Sequence, residues 1–331
     1  MQNITEMEDI RYSVAIRTLG KGADKYEKEL ISISKLSVQP EKVIVYIADG
    51  YKIPDVRIGK EEYVFVPKGM VAQRALTYQE ITTPLIMLLD DDVYLPENAV
   101  EIMAKELLDN DADVVAADTF HPQTNTFWGA IRDCLSNMTY PHYSDKWAFK
   151  VLRNASCSYN ARPCKPAYLS QSAAGPASLW KKDVLLSIRF SDELWLDNMG
   201  FAWGDDQLMF YKAHLNGFKL MVSYDSGIIH LNAKTASSVK DVSPDRWMKR
   251  AMCQFLIWYR SCYSINGISQ TEKFLRLLSF SFKEVEGFLV HLIYSILMLR
   301  PSFVFAYLLG LWRGVKYAKT NLKFIPNFIL R

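Results

Sequence analysis

No two cysteines in this 331-residue sequence are spaced C-x-x-C, and the total of five (Cys134, Cys157, Cys164, Cys253 and Cys262) is odd. A complete disulfide framework is therefore excluded, and reduced thiols are expected. No uninterrupted apolar run reaches the roughly 20 residues that cross a bilayer as a straight helix. Charge of one sign is also scarce in net terms, since 39 basic residues against 36 acidic ones leave only +3. That excess does not by itself call for a nucleic-acid partner. Residues 1–9 are polar and acidic, without the basic start and apolar stretch of a secretory signal, so a cytoplasmic location is expected. Internal repeats and low-complexity segments are absent too.

What is present is apolar bulk. Half of the residues are hydrophobic and 13% aromatic, enough for a sizeable core in one or two domains. Tyr12–Ile16, Lys42–Ala48 and Tyr63–Val66 read as strands, with a helical spacing of Tyr26, Leu30, Ile33 and Leu36 between the first two. Met70–Glu80 again has helical spacing, and Pro84–Leu89 is a continuous apolar run suited to a central strand. Pro96 opens a predicted helix to about Leu108, Asp113–Ala117 is a further strand, and a helix from Asp206 to Asn216 stops at Gly217. Strands separated by helices predict an α/β fold with a mostly parallel central sheet. From Thr119 to Ser170 the pattern dissolves into Pro, Asn, Ser and aromatic residues, as in irregular loops or short hairpins that grip an acceptor.

The carboxyl-terminal part has a different texture. Gly287–Leu299 and Ser302–Trp312 are apolar blocks separated by Arg300-Pro301, and Arg313, Lys316, Lys319, Lys323 and Arg331 follow with no acid among them. Two interfacial helices with a basic tail, peripheral on the cytoplasmic face of the inner membrane, fit this pattern; two core helices are the alternative. The expected division is a catalytic domain over 1–240, with halves at about 10–118 and 119–240, and a helical region over 241–331.

Ionisable residues gather at three places. Asp90-Asp91-Asp92 follows the apolar strand directly, where open α/β sheets bind ligands. Three like charges side by side call for a cation, and a hard divalent ion shared with a diphosphate supplies it; a solvated acidic turn is the alternative. Trp203-Gly204-Asp205-Asp206-Gln207-Leu208 offers a carboxylate at a helix start, where it acts as a base or only as a cap. Ser226–His230 is a strand-like run ending in an imidazole. One imidazole with one or two carboxylates suits Mn²⁺ or Mg²⁺ better than Zn²⁺. Between the first two lies the small-residue stretch Ser170–Asp183, through which backbone can approach a ligand closely. Lys249 and Arg250 either reach a diphosphate or line a solvated helix face.

Together these residues resemble the family 2 glycosyltransferases of the GT-A fold, of the kind that builds bacterial polysaccharides, from Tyr12 to about His230. The resemblance implies that Thr18, Asp49 and Arg74 surround the nucleotide of a nucleotide-sugar donor, with Asp90 near its ribose and Asp91 as the spacer grouped with them. It implies Asp92 and His230 as ligands of Mn²⁺ or Mg²⁺. By its spacing of eleven residues to Gly217-Phe218, Asp206 is the general base, and Asp205, standing where the family commonly has Glu, is the competitor. The implied activity is inverting transfer of one sugar to a hydroxyl of a saccharide acceptor, lipid-linked at the inner leaflet, without nucleic acid. The Gln-x-x-Arg-Trp signature of processive members is missing, because Gln254 is followed by Phe-Leu-Ile-Trp258. A nucleotidylyltransferase is an alternative, although Gly20-Lys21-Gly22 is a poor triphosphate loop; a non-catalytic membrane-surface protein of the same fold is another.

Overall fold

The computed structural model describes residues 10–119, 139–201, 203–231 and 243–330. Eight strands form the central sheet: β1 (Tyr12–Thr18), β2 (Val43–Ala48), β3 (Glu61–Val66), β4 (Leu85–Asp90), β5 (Val114–Ala117), β6 (Ala167–Leu169), β7 (Ala177–Lys181) and β8 (Leu220–Ser223). Their order is β6-β8-β5-β7-β4-β1-β2-β3. Strands β3, β2, β1 and β4 run parallel, β7 is antiparallel to both β4 and β5, β8 is parallel to β5, and β6 closes the edge antiparallel to β8.

Alternation along the strands feeds two cores, one on each face, as the period of two requires. Val14, Ile16, Met87 and Leu89 face α1 (Asp24–Ser34) and α2 (Ala99–Asp109), which contribute Tyr26, Leu30, Val100 and Met103. Ala15, Ile86, Leu88 and Trp180 face the other way. With both faces covered, β2 and β4 up to Leu89 are apolar and β1 is largely so before Arg17, which is why they read as near-continuous runs.

A short helix α3 (Lys182–Ser187) follows β7, and α4 (Asp205–Leu215) precedes β8; then come α5 (Pro244–Trp258), α6 (Gln270–Leu297) and α7 (Ser302–Thr320). Helix α4 brings Leu208, Met209 and Phe210 to the second core, and α5 adds Cys253, Leu256, Ile257 and Trp258 to it. Helix α7 lies close on α5 because Gly310 and Gly314 carry no side chain there: a Cβ on Gly310 would stand 2.3 Å from the Met248 carbonyl oxygen.

Two segments, 70–80 and the long carboxyl-terminal helix, depart from the sequence expectation. Residues 70–80 form turns and no helix. The Asp197 carboxylate takes the N–H groups of Val71 and Ala72 at 2.9 Å each, Tyr78 stands at φ +48°, and one turn is all that forms. The long helix begins at Gln270, well before the apolar block at Gly287. Within 119–170, a three-stranded sheet forms from 139–142, 149–151 and 157–160. Cys134 and His121 lie outside the described residues; Cys157, Cys164, Cys253 and Cys262 are free thiols.

Candidate active site

Strand β4 ends at Asp90, beside the end of β1, and the register pairs Arg17 with Asp90. Arg17 Nη2 donates to Asp90 Oδ1 and, at 3.2 Å, to the carbonyl of Gly175. Asp91 turns inward: the Thr18 hydroxyl donates to its Oδ2, and the Gly20 N–H donates to Thr18 Oγ1 at 2.7 Å. Burial, aided by the neighbouring aspartate charges, pushes the Asp91 carboxyl up to about 6. Gly22 is indispensable to this fit, since a Cβ there would lie 2.7 Å from the Asp91 carbonyl oxygen.

Asp92 points to the histidine. Residues Val93–Tyr94 pair antiparallel with Ile229–His230, and this small ribbon sets His230 Nε2 3.1 Å from Asp92 Oδ1. The Leu231 N–H donates to the Asp92 carbonyl at 2.7 Å and locks the register. Hydrogen bonding to Asp92 raises the His230 pKa above its ordinary value.

The second carboxylate pair opens α4. Gly204 occupies the cap position at φ +79°, where its missing Cβ clears Ile257 Cδ1. Asp205 is buried and accepts from Arg74 Nε at 2.6 Å. Asp206 accepts from the N–H groups of Gly175 at 3.2 Å and Gln207 at 2.9 Å. Its carboxyl is pushed up to about 6, by burial first and by the Asp205 charge second, with Arg74 pulling the other way. The helix end, expected to hold this carboxylate ionised, is outweighed by that burial and that neighbour.

Gly175, from the small-residue stretch, joins the two clusters. Its carbonyl accepts from Arg17 and from Arg74 Nη1 at 3.4 Å, while its N–H donates to Asp206. A Cβ at this residue would sit 2.7 Å from Arg74 Nη2 and 2.9 Å from Asp206 Cβ. Gln73 donates to the carbonyls of Thr18 and Tyr46, at 3.2 and 3.4 Å, tying the turn that carries Arg74 to the strand ends. Asp49 stands exposed after β2, and next to it the Tyr51 ring lies under the Lys21 and Lys68 ammonium groups, 5.1 Å from each. Lys249 pairs with Asp245 on its own helix at 2.7 Å, the solvated-face arrangement.

Among the described residues no group of three or more His, Cys, Asp or Glu side chains closes on a single metal position. The donor set nevertheless suits a hard divalent ion completed by ligand oxygens. One carboxylate and one imidazole already converge at Asp92 and His230, and the fully buried Glu29 carboxyl is held well above the usual range by burial first and by the charges of Asp91, Asp90 and Asp92. Such carboxylate crowding is the setting a dication relieves.

Residues 47–166 match the family described as Glycosyl transferase family 2. The chain carries a family 2 glycosyltransferase domain. The matched span includes Asp90, Asp91 and Asp92 but ends before Gly175, Asp205, Asp206 and His230. No curated protein matches the sequence. The GalNAc-T7 crystal structure with UDP, GalNAc and Mn²⁺ is similar at 12% identity and a TM-score of 0.50, over 88% of this chain and 58% of that one. The two share the GT-A fold. The Pyrobaculum calidifontis mannosyltransferase PcManGT, in complex with GDP-Man and Mn²⁺, aligns at 11% identity and a TM-score of 0.47 over 95% of this chain and 88% of that one. S. aureus TarS 1-349 with UDP-GlcNAc aligns at 12% and 0.46 over 83% and 72%.

Thr18, Arg74, Asp90, Asp91, Asp92, Asp205, Asp206 and His230 all sit in the two linked clusters, and Asp49 lies apart on the surface after β2. Arg17 and Asp197 escaped the sequence reading. The signal for Arg17 was a cation inside an otherwise uncharged buried strand; Asp197 left none, because it acts on backbone across more than a hundred residues.

Proposed function

We propose that this glycosyltransferase moves one sugar from a nucleotide-sugar donor to a hydroxyl of a saccharide acceptor, with inversion, and that Asp206 is the general base. The observation that carries the choice of Asp206 is the Arg74–Asp205 ion pair. Asp205, the competitor, is buried with its Oδ2 committed at 2.6 Å to a cation, so it serves structure. Asp206 keeps a carboxylate with only N–H partners and an elevated pKa of about 6, close enough to neutrality to take a hydroxyl proton and release it again.

On this reading Thr18, Arg74, Asp90 and Asp91 shape the donor side, with Asp49 and Tyr51 at its nucleotide end. Arg17 holds Asp90 against Gly175, so the carboxylate that meets the donor and the base that meets the acceptor are positioned from one residue. Asp92 and His230 are the residues that would hold Mn²⁺ or Mg²⁺. When bound, such a cation supplies positive charge for the departing nucleoside diphosphate. The hydroxyl proton goes to Asp206 as the acceptor oxygen bonds to the anomeric carbon and the bond to the diphosphate breaks.

Thermal-shift titration with a panel of nucleotide sugars, with and without Mn²⁺, tests the proposal. One donor class should raise the midpoint in wild type and in Asp206→Asn, and the rise should need Mn²⁺ and vanish in Asp92→Asn/His230→Ala. Transfer should be lost in both variants. Full turnover by Asp206→Asn, or donor binding indifferent to the Asp92/His230 double change, refutes it.

A further inference from the structure

Helix α6 has two unlike halves. Glu272 is bonded to Arg153 and Arg276, Lys283 is buried, and Glu284 accepts from the Tyr307 hydroxyl of α7. The opposite half exposes Phe274, Leu278, Phe282, Val285, Leu289 and Ile293, at spacings of three or four. Ile296 extends the row, so it runs about 33 Å along the axis at 1.5 Å per residue. Phe282 is 73% exposed, and one acid, the half-buried Glu286, stands beside the row between Phe282 and Leu289.

Helix α7 repeats the arrangement. Phe305, Leu308, Leu309 and Trp312 are exposed on one side, and Lys316 and Lys319 continue that side at the next turns, with Lys316 Nζ 5.5 Å from the Trp312 ring. The helix has no acidic residue, and exposed Arg313 and Lys323 add to the positive end. The corner between the helices carries Leu299, 88% exposed at φ +52°, followed by Arg300. The two helices pack through Tyr307, whose ring stacks on His291 at 4.3 Å. None of the described helices is long and apolar enough to cross a membrane.

We propose that these exposed faces of α6 and α7 are a docking surface for an anionic lipid bilayer, lying in its interface with the basic end of α7 on the phosphates. The charge pattern decides the occupant. A seam for a second copy is a narrow apolar stripe flanked by charges that choose the partner. Here the apolar side of α6 is broad, with the single acid Glu286 at its edge, and the ionisable groups beside Phe305, Leu309 and Trp312 on α7 are all basic: Arg313, Lys316 and Lys319. Apolar burial in the interface plus attraction of Lys and Arg to anionic headgroups is the combination that retains a peripheral helix. An aromatic residue beside a lysine at the boundary suits the headgroup level.

The experiment is co-sedimentation of the full chain with vesicles of phosphatidylcholine alone or with phosphatidylglycerol added, at low and high salt. Binding should be strong only to the anionic vesicles and weaken with salt. Phe282→Glu/Leu289→Glu and Lys316→Gln/Lys319→Gln/Lys323→Gln should each lower the partition by on the order of tenfold or more, with thermal midpoints unchanged. No vesicle binding, or equal binding to neutral vesicles with no salt effect, overturns the proposal. So does self-association in vesicle-free buffer that the Phe282→Glu/Leu289→Glu change abolishes, which would assign the face to a second copy. The readout uses neither donor nor acceptor, so it stands or falls apart from sugar transfer.

Discussion

Asp206 carries opposite consequences for activity and for stability. Its folded pKa of about 6 lies above the ordinary 3.8, so the folded chain holds the proton more tightly than the unfolded one. The stability this contributes is fully present below about pH 4 and is lost as pH rises through about 6. Asp206→Asn should therefore be more stable than wild type above pH 6, by on the order of 1–3 kcal/mol, with the difference vanishing below about pH 4. Activity runs the other way: kcat/KM of the wild type should fall about tenfold for each pH unit below about 6, as the base becomes protonated. Denaturant melts and initial rates across pH check both halves; a flat rate profile from pH 5 to 8 would dismiss Asp206. At this scale the carboxylates and His230 were legible because clustered charges at strand and helix ends are rare without a task. The spacing to Gly217-Phe218 already favoured Asp206 over Asp205, but the ion pair that commits Asp205 was not legible, since it depends on Arg74, more than a hundred residues away.

Among the elements, the turn over 69–75 and the strand leading from Gly175 are the parts that align the two clusters. The apolar spacing over 70–80 imitates a helix, yet Asp197 consumes the N–H groups of Val71 and Ala72 and Gln73 spends its amide on strand carbonyls. Periodicity reports which residues are buried, and a chain folded into turns against a core can bury the same ones. Strands β1, β2 and β4 were legible because burial on both faces leaves a near-continuous apolar run, whereas β6 and the small sheet over 139–160 mix polar and aromatic residues. Gly175→Ala tests the alignment. Its methyl group would press on Arg74 Nη2 and on Asp206 Cβ at under 3 Å, so the base must move, and the flexible end of Arg74 with it. A misplacement near 1 Å is enough to cost on the order of a hundredfold in rate. Gly175→Ala should accordingly lose about that factor in kcat, with a smaller loss of donor affinity through Arg74; a loss confined to donor affinity would show that Gly175 serves the nucleotide and leaves the base alone.

Over the whole molecule, the change of texture near residue 240 is real in composition, but it does not coincide with a gap in packing. Cys253, Leu256, Ile257 and Trp258 of α5 lie in the same core as Met209 and Phe210 of α4, and Phe280, Ala318 and Phe328 extend it. Glu193, wholly buried, depends on Arg260, which donates to it twice at 2.7 and 2.8 Å, with Lys212 at 3.1 Å as its second cation. Sequence alone gave no sign of this pair, because neither residue lies in a patterned segment that names its partner. A chain ending at residue 240 would thus strip the outer part of this core and leave Glu193 buried with half of its compensation. Removing one partner of such a buried pair costs about 3–5 kcal/mol, comparable with much of a domain's total stability, before the lost apolar contacts are counted. Residues 1–240 expressed alone should show no cooperative thermal transition by circular dichroism, and Arg260→Ala in the full chain should lower its stability by about 3 kcal/mol or more. A single sharp transition in the truncated chain, at the midpoint of the full one, would show that the catalytic part folds independently and that α5 to α7 only decorate it.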